Sequence, residues 1–318
     1  MEAVCVGLLV ADIFISPIDA LPRAGELTAV DGFLTGVGGC AANTAACLRR
    51  LDRSVTVVGK VGRDLFGDFV IRDLERLGVD SANVGRSDAQ PTSTTVIVNV
   101  RGEDRRYLHC FGANAAFSIA DVDTRVLDDA RLLYVGGYLA MPEVRPGDLA
   151  RLFHAAKTRS ITTVLDVVVP AGAPVSLADV DPVLTYTDYF LPNEDEAGRL
   201  TARDGAAGQA AFLSDRFPDC AVVITRGSRG SLARRGNHLI ETAAFPFDSV
   251  DESGAGDAFA AGLIAGVLDG WPLDRCLQFA AAVGGSCTRA LGCTAGVFRK
   301  SEALEFLAGA QCRSARST

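Results

Sequence analysis

The sequence has no Walker A stretch (Gly-x-x-x-x-Gly-Lys-Ser/Thr), which excludes the P-loop nucleotidases. Lysine itself is scarce: Lys60, Lys157 and Lys300 are the only three, and the other basic residues are Arg. No Gly-x-Ser-x-Gly elbow occurs, since GSRGS (227–231) has Arg in the serine's place, so an α/β-hydrolase nucleophile is excluded too. His109, His154 and His238 have no second His three or four residues on, which leaves no metal-hydrolase His cluster. The nine cysteines contain no Cys-x-x-Cys pair. Their odd number, spread thinly from Cys5 to Cys312, reads as reduced, mostly buried thiols of a cytoplasmic protein. No apolar run reaches the roughly 18 residues of a membrane span. The opening MEAVCVGLLVAD lacks a basic leader and a cleavage-like site, and reads as a first strand. A net charge of −8 argues against a nucleic-acid partner. It still allows an anionic nucleotide, which needs only local positive potential.

What is present is apolar and glycine-punctuated. With 318 residues and 48% hydrophobic content, the chain suits one large α/β domain or two modest ones. VCVGLLVAD (4–12) and VTVVGKVG (55–62) read as buried strands; residues 41–52 and 66–79 read as helices, the second closed by Gly78. Strands and helices keep alternating through RLLYVGGYL, a helix near 146–158, TTVLDVVV, YTDYFLPN, a helix at 194–202 and AVVITRG. A hairpin, SLARRGNHLIETAAF, and two helices near 255–269 and 273–290 follow, and the tail QCRSARST reads as frayed. Such alternation predicts a parallel sheet covered on both faces. Two stretches interrupt it: the turn-rich 13–37, and 91–111, which alternates at period two around an Arg-Gly-Glu-Asp turn. Together they predict a small sheet standing off the main body.

Four glycine- or acid-marked stretches carry candidate chemistry. DESGAGDAF (251–259) places Asp251 and Glu252 before a nearly bare turn and Asp257 at the mouth of the helix behind it. A plain helix cap explains this, and so does an anion site with backbone N–H groups facing a ligand. GVGGCAAN (36–43) contains Gly-x-Gly-x-x-Ala, but no buried strand directly precedes it, so a dinucleotide fold is disfavoured. The alternative is a turn that lets a ligand approach the backbone, with Asn43 pointing toward it. VITRGSRGS (223–231) sets Thr225, Gly227 and Gly230 to line phosphate oxygens, with Arg226 or Arg229 adding charge; an ordinary turn is the bland alternative. PNEDEAGRL (192–200) opens as a capped helix with three acids in its first turn. Asn193 and Glu196, three apart on one face, also suit the water shell of Mg²⁺, which keeps most of its waters.

These pieces in this order resemble the ribokinase, or PfkB, family of carbohydrate kinases, over nearly the whole chain. GVGGCAANTAACLRRL is similar to that family's N-terminal signature, NEDEA to its Asn-x-x-Glu motif, ITRGSRG to its phosphate loop, and DESGAGDAFAAGLIAG to its C-terminal signature. The resemblance implies a three-layer α/β/α core with a mostly parallel central sheet, formed by 1–12, 38–90 and 112–318. Segments 13–37 and 91–111 would form a β-sheet lid. It implies an ATP-dependent kinase acting on a primary hydroxyl of a sugar, sugar derivative or nucleoside. Gly254, Ala255 and Gly256 would make the anion hole for the transferring phosphoryl, and Asp257 would act as base. Asp12, Gly38, Gly39 and Asn43 would hold the substrate. Asn193, Glu196, Thr225, Arg226, Gly227 and Gly230 would hold ATP and Mg²⁺. Asp251 and the Ser253 carbonyl, with loop 288–293, would hold K⁺, and the lid would pair two chains. Departures from the pattern are Glu252, where the family usually has Thr, and Val10, Cys40 and Ala41. Asp166 is followed by Val167 instead of the Pro-Asn of fructokinases. Neither ribose nor fructose is therefore supported, and the less polar pocket tolerates a larger or more apolar acceptor such as a nucleoside. A non-catalytic sensor on the same fold is the rival reading.

Overall fold

The structure, a computed structural model, describes residues 1–103 and 106–316. Asp104 of the expected 101–104 turn, Arg105, and the last two residues of the tail lie outside that range. The strands are β1 (Ala3–Gly7), β2 (Val10–Ile18), β3 (Phe33–Gly38), β4 (Val55–Gly62), β5 (Asp80–Ser87), β6 (Thr94–Val100), β7 (Arg106–Cys110), β8 (Leu132–Gly136), β9 (Thr162–Leu165), β10 (Tyr189–Phe190), β11 (Ala221–Thr225), β12 (Ser231–Arg235) and β13 (His238–Thr242). The helices are α1 (Cys40–Arg50), α2 (Leu65–Arg76), α3 (Gly112–Ala115), α4 (Pro146–Lys157), α5 (Asp181–Leu184), α6 (Glu194–Thr201), α7 (Ala206–Arg216), α8 (Ala255–Leu268), α9 (Leu273–Cys287) and α10 (Lys300–Arg316). The helix α10 runs well into the stretch expected to fray.

The main sheet has the order β13-β12-β11-β10-β9-β8-β1-β4-β5. It is parallel from β11 to β5, and the hairpin β12–β13 adds an antiparallel edge. Its inner strands β1, β4, β8 and β11 are near-continuous apolar runs because both faces are covered, whereas the edge strands β5 and β13 are polar and partly exposed. Successive side chains of β1 take opposite sides. Ala3 and Cys5 join a core with α1, α2, α8 and α9, while Val4 and Val6 join a second core with α4, α6 and α7. These are the three layers of the expected architecture.

The first buried run divides where one strand was expected. β1 ends at Gly7 (φ 140°), where a Cβ would stand 2.2 Å from the Gly136 carbonyl oxygen, so only glycine fits. The chain then leaves the main sheet. Asn114 secures the break: Leu9 N–H donates to its Oδ1 at 3.2 Å, and its Nδ2 donates to the Leu9 carbonyl at 3.0 Å. Val10 onward belongs to a second sheet of order β3-β2-β6-β7. That sheet therefore starts three residues before the expected 13, β3 runs one residue past the expected 37, and β6 and β7 fall within 91–111.

Register sorts the faces of the small sheet, because residues directly opposite one another share a face. Asp12 stands beside Thr95 and His109, and Phe14 beside Ile97 and Tyr107, all toward the main body. Phe14 and Ile97 pack on Cys293 and Leu291. The opposite face carries Ile13, Ile15, Phe33, Val96, Val98 and Leu108. Thr35 and Arg106 share it, but it is mostly apolar, and Phe33 (66%) and Leu108 (67%) stand exposed on it.

Candidate active site

Parallel α/β sheets bind ligands beyond the carboxyl ends of their strands. Here Asp166 follows the end of β9, Asn193 and Glu196 follow β10, and Thr225 ends β11. They line a cavity of about 530 Å³ with Cys40, Tyr107 and the run Glu252–Asp257. A second cavity of about 510 Å³ adjoins it, lined by Gly227, Gly230, Phe245, Phe247, Gly284 and Gly285 among others. The two share Thr225, Glu252, Ala255, Gly256 and Phe259. Asp257 lines only the first.

Asp257 lies in the first turn of α8, whose N-cap is Gly254. Gly254 has φ 77°, and a Cβ there would come within 2.4 Å of the Cys293 carbonyl oxygen. Helix geometry leaves first-turn amides without intrahelical acceptors. Of the three residues expected in an anion hole, Ala255 already donates its N–H to the Glu252 carbonyl at 3.2 Å. The Asp257 carboxylate accepts from Asn43 Nδ2 at 2.8 Å, which ties α1 to α8. Burial raises the Asp257 carboxyl to about 6; donation from Asn43 and Cys40 opposes the shift and the charge of Asp12 adds to it.

Asp12 is 7% exposed and accepts from the Cys293 thiol at 3.6 Å. Burial likewise raises it to about 6. Gly38 sits directly against it: a Cβ there would overlap the Asp12 carboxylate. Gly39, the N-cap of α1, follows. Gly36 and Gly38 end a strand of the small sheet, not a parallel strand of the main one, so the Gly-x-Gly-x-x-Ala run lacks the setting of a dinucleotide site.

Asn193 and Glu196 form a reciprocal capping box on α6, each side chain accepting the other's backbone N–H at 2.9 Å. Burial pushes Glu196 to about 7, against backbone hydrogen bonds from Asn193 and Val169. A carboxylate so desolvated at the wall of a cavity favours a cation beside it. Gly227 and Gly230 line the second cavity, whereas Arg226 lines neither. Its guanidinium donates to the carbonyls of Arg229 and Ser231 and pairs with Glu241, so the β12–β13 hairpin holds it away from both cavities. Arg229 pairs with Glu194 instead. Asp251 is buried, and its two oxygens accept the N–H groups of Ser253 (3.0 Å) and Gly292 (2.9 Å). The turn is thereby fastened to the 291–293 loop.

The structure adds residues the sequence reading did not place in the site. Asp166 takes the Gly137 N–H at 3.1 Å, and burial raises its carboxyl well above the usual range. An acid closing an apolar strand run was the available signal. Cys40, read only as a departure from a signature, lines the first cavity beside it. Tyr107 reaches that cavity from the small sheet. Phe245 and Phe247 line the second, where the Phe247 ring packs directly on Gly285, and nothing local in AAFPFDS foretells that.

Residues 2–299 match the pfkB family of carbohydrate kinases. The chain belongs to the pfkB carbohydrate kinase family. It is thus a carbohydrate or nucleoside kinase. This pfkB-family chain is 28% identical over 267 residues to the ATP-dependent ribose-1-phosphate kinase of Halopiger xanaduensis, covering 84% of this chain and 85% of that one. It is 29% identical over 270 residues to the deoxyribokinase of Salmonella typhimurium, covering 81% and 83%. The solved Arabidopsis thaliana ribokinase, in complex with ribose and ATP, superposes with a TM-score of 0.81 at 25% identity, over 96% of this chain and 98% of that one. No helix among the described residues is long and apolar enough to cross a membrane.

Proposed function

We propose that this pfkB-family kinase transfers the γ-phosphoryl of ATP to a hydroxymethyl group of a sugar, sugar derivative or nucleoside. The observation that carries the reading is the pair of joined cavities: Gly256 lines both, while Asp257 lines only the first. A nucleotide in the second cavity, among Gly227, Gly230, Phe245 and Phe247, would deliver its terminal phosphate at Gly256. An acceptor hydroxyl in the first would meet Asp257, the base. The backbone turn Gly254–Ala255–Gly256 would stabilise the charge on the phosphoryl in flight. Asp12, Asn43 and the backbone of Gly38 and Gly39 would hold the acceptor's other hydroxyls beneath the small sheet, acting as lid.

Among the described residues lining the two cavities none is Lys or Arg. Neutralising the phosphates therefore falls to backbone amides and to Mg²⁺, which Asn193 and Glu196 would hold through its waters. Glu196→Gln should raise the Mg²⁺ concentration needed for half-maximal rate and lower kcat, with little change in acceptor KM. An unchanged Mg²⁺ dependence would remove Glu196 from this role. K⁺ would sit by Asp251, the Ser253 carbonyl and loop 288–293; comparing rates in KCl and NaCl tests it. The cysteines described are free and mostly buried, which fits a reducing cytoplasm.

The apolar outer face of the small sheet supports a homodimer formed lid to lid. Light scattering at micromolar protein should give twice the chain mass, and Leu108→Asp should halve it. A wild-type monomer would overturn the pairing.

The test of the whole reading is an ATP-consumption assay over sugars and nucleosides. Turnover should require an acceptor with a free hydroxymethyl group, and the analogue with methyl in its place should bind without reacting. If ligands bind but none is phosphorylated, the sensor reading stands instead.

A further inference from the structure

Three elements bring a mixed set of ligand atoms together beside the catalytic turn. Cys40 is the first residue of α1, Asp166 follows β9, and Asp257 lies in the first turn of α8. The Cys40 sulfur and one carboxylate oxygen each of Asp166 and Asp257 all lie within 4.8 Å of one another. Asn43, one helical turn beyond Cys40, is only 4% exposed. Its amide is aimed into this cluster, since Nδ2 donates to Asp257, while its Oδ1 has no hydrogen-bond partner.

We propose that Cys40, Asp166 and Asp257 form an inhibitory site for a thiophilic divalent cation of the Zn²⁺ class. A thiolate with two carboxylates is a poor set for Mg²⁺, which takes oxygen ligands, and a good one for borderline-soft Zn²⁺. Tetrahedral Zn²⁺ with sulfur at ~2.3 Å and oxygen at ~2.0 Å needs donor atoms roughly 3.3–3.8 Å apart. Binding would close that gap by rotation of the three side chains. Three protein ligands leave one position for water, or for Asn43 Oδ1 once its amide turns over. Empty, the groups are poised to hold protons: burial pushes the Cys40 thiol and the Asp166 carboxyl well up, and Asp257 to about 6. Binding would exchange these protons for the ion: the thiol releases H⁺ to solvent and its sulfur pair forms the metal bond. Asp257 bound to the ion cannot take the acceptor's proton, so occupancy stops turnover. That consequence rests on the kinase reading; the binding does not.

The probe is Co²⁺, whose near-ultraviolet thiolate charge-transfer absorption appears only with sulfur as ligand. The full-length protein should develop it at one equivalent and lose it on adding Zn²⁺. Cys40→Ser should abolish it, Asp166→Asn should weaken binding about tenfold or more, and Cys293→Ser should leave it intact. In kinase assays, Zn²⁺ should inhibit in excess Mg²⁺, a chelator should reverse this, and Cys40→Ser should be resistant relative to its own uninhibited rate. No absorption, or absorption that persists in Cys40→Ser, overturns the site. Zn²⁺ inhibition equal in wild type and Cys40→Ser overturns its inhibitory role. Absence of turnover with every acceptor would count against the kinase reading alone, because the cobalt spectrum still reports the site.

Discussion

Asp257→Asn should lower kcat by about three orders of magnitude while leaving ATP affinity nearly unchanged. A placed general base typically contributes 10²–10⁴-fold, and the amide keeps the shape that Asn43 grips. The residual rate should lose the step that Asp257 contributes, while Asp12 near 6 and Glu196 near 7 still titrate. In the wild type, kcat/KM should fall as pH drops through about 6, where Asp257 becomes protonated and cannot accept the hydroxyl proton. Stability should run the other way. A buried acid with a raised folded value binds protons that the unfolded chain has lost, so between about pH 4 and 6 its stabilising contribution fades as pH rises. At pH 7.5, Asp257→Asn removes a buried charge and should melt a few degrees above the wild type. Enzymatic rate titrations and thermal melts on the same two proteins check both halves. A variant that keeps more than about a tenth of the wild-type kcat would remove Asp257 from the base role, since even the weakest contribution of such a base exceeds that.

Gly256→Val should lower kcat/KM for ATP about 10²–10³-fold, the scale attached to disabling a transition-state anion hole, with an unchanged melting temperature. A Cβ at Gly256 meets nothing within 4 Å, and the position is not one of the left-handed glycines. The added side chain would therefore stand in the passage the two cavities share, not in the core. Gly254→Ala supplies the contrast. There the left-handed backbone and the Cys293 carbonyl at 2.4 Å oppose any side chain, so stability should fall along with activity. If Gly256→Val transfers phosphoryl normally, the donor does not cross at this glycine.

The sequence was most legible where chemistry and local structure coincide in one short run. DESGAGDAF showed both a helix start and its acid, and NEDEA showed a capping box whose members also face the cavity. Layering was legible because an apolar strand covered on both faces has a continuous pattern. Three things were not. The division of residues 4–12 between two sheets depends on Gly136 and Asn114, more than a hundred residues away. Arg226 reads as a phosphate ligand by its neighbours, yet its direction is set by Glu241 and two carbonyls of a hairpin. Cys40 and Asp166 are unremarkable in their own segments, and only the convergence of α1, β9 and α8 gives them chemistry.

The pairing of β2 with β6 sets Ile13 beside Val96, with β3, α1, β4, α2 and β5 lying between them along the chain. Such a contact closes a long loop, and its entropic cost is met only after the intervening segments have collapsed. The small sheet should therefore be the last part of the molecule to assemble as the chain refolds. By the same reasoning it should be the first to open, through sub-global excursions that leave the parallel sheet intact. A protease added to the ligand-free protein would then cut first among residues 19–32 and 101–103, and the trimmed chain would still melt cooperatively.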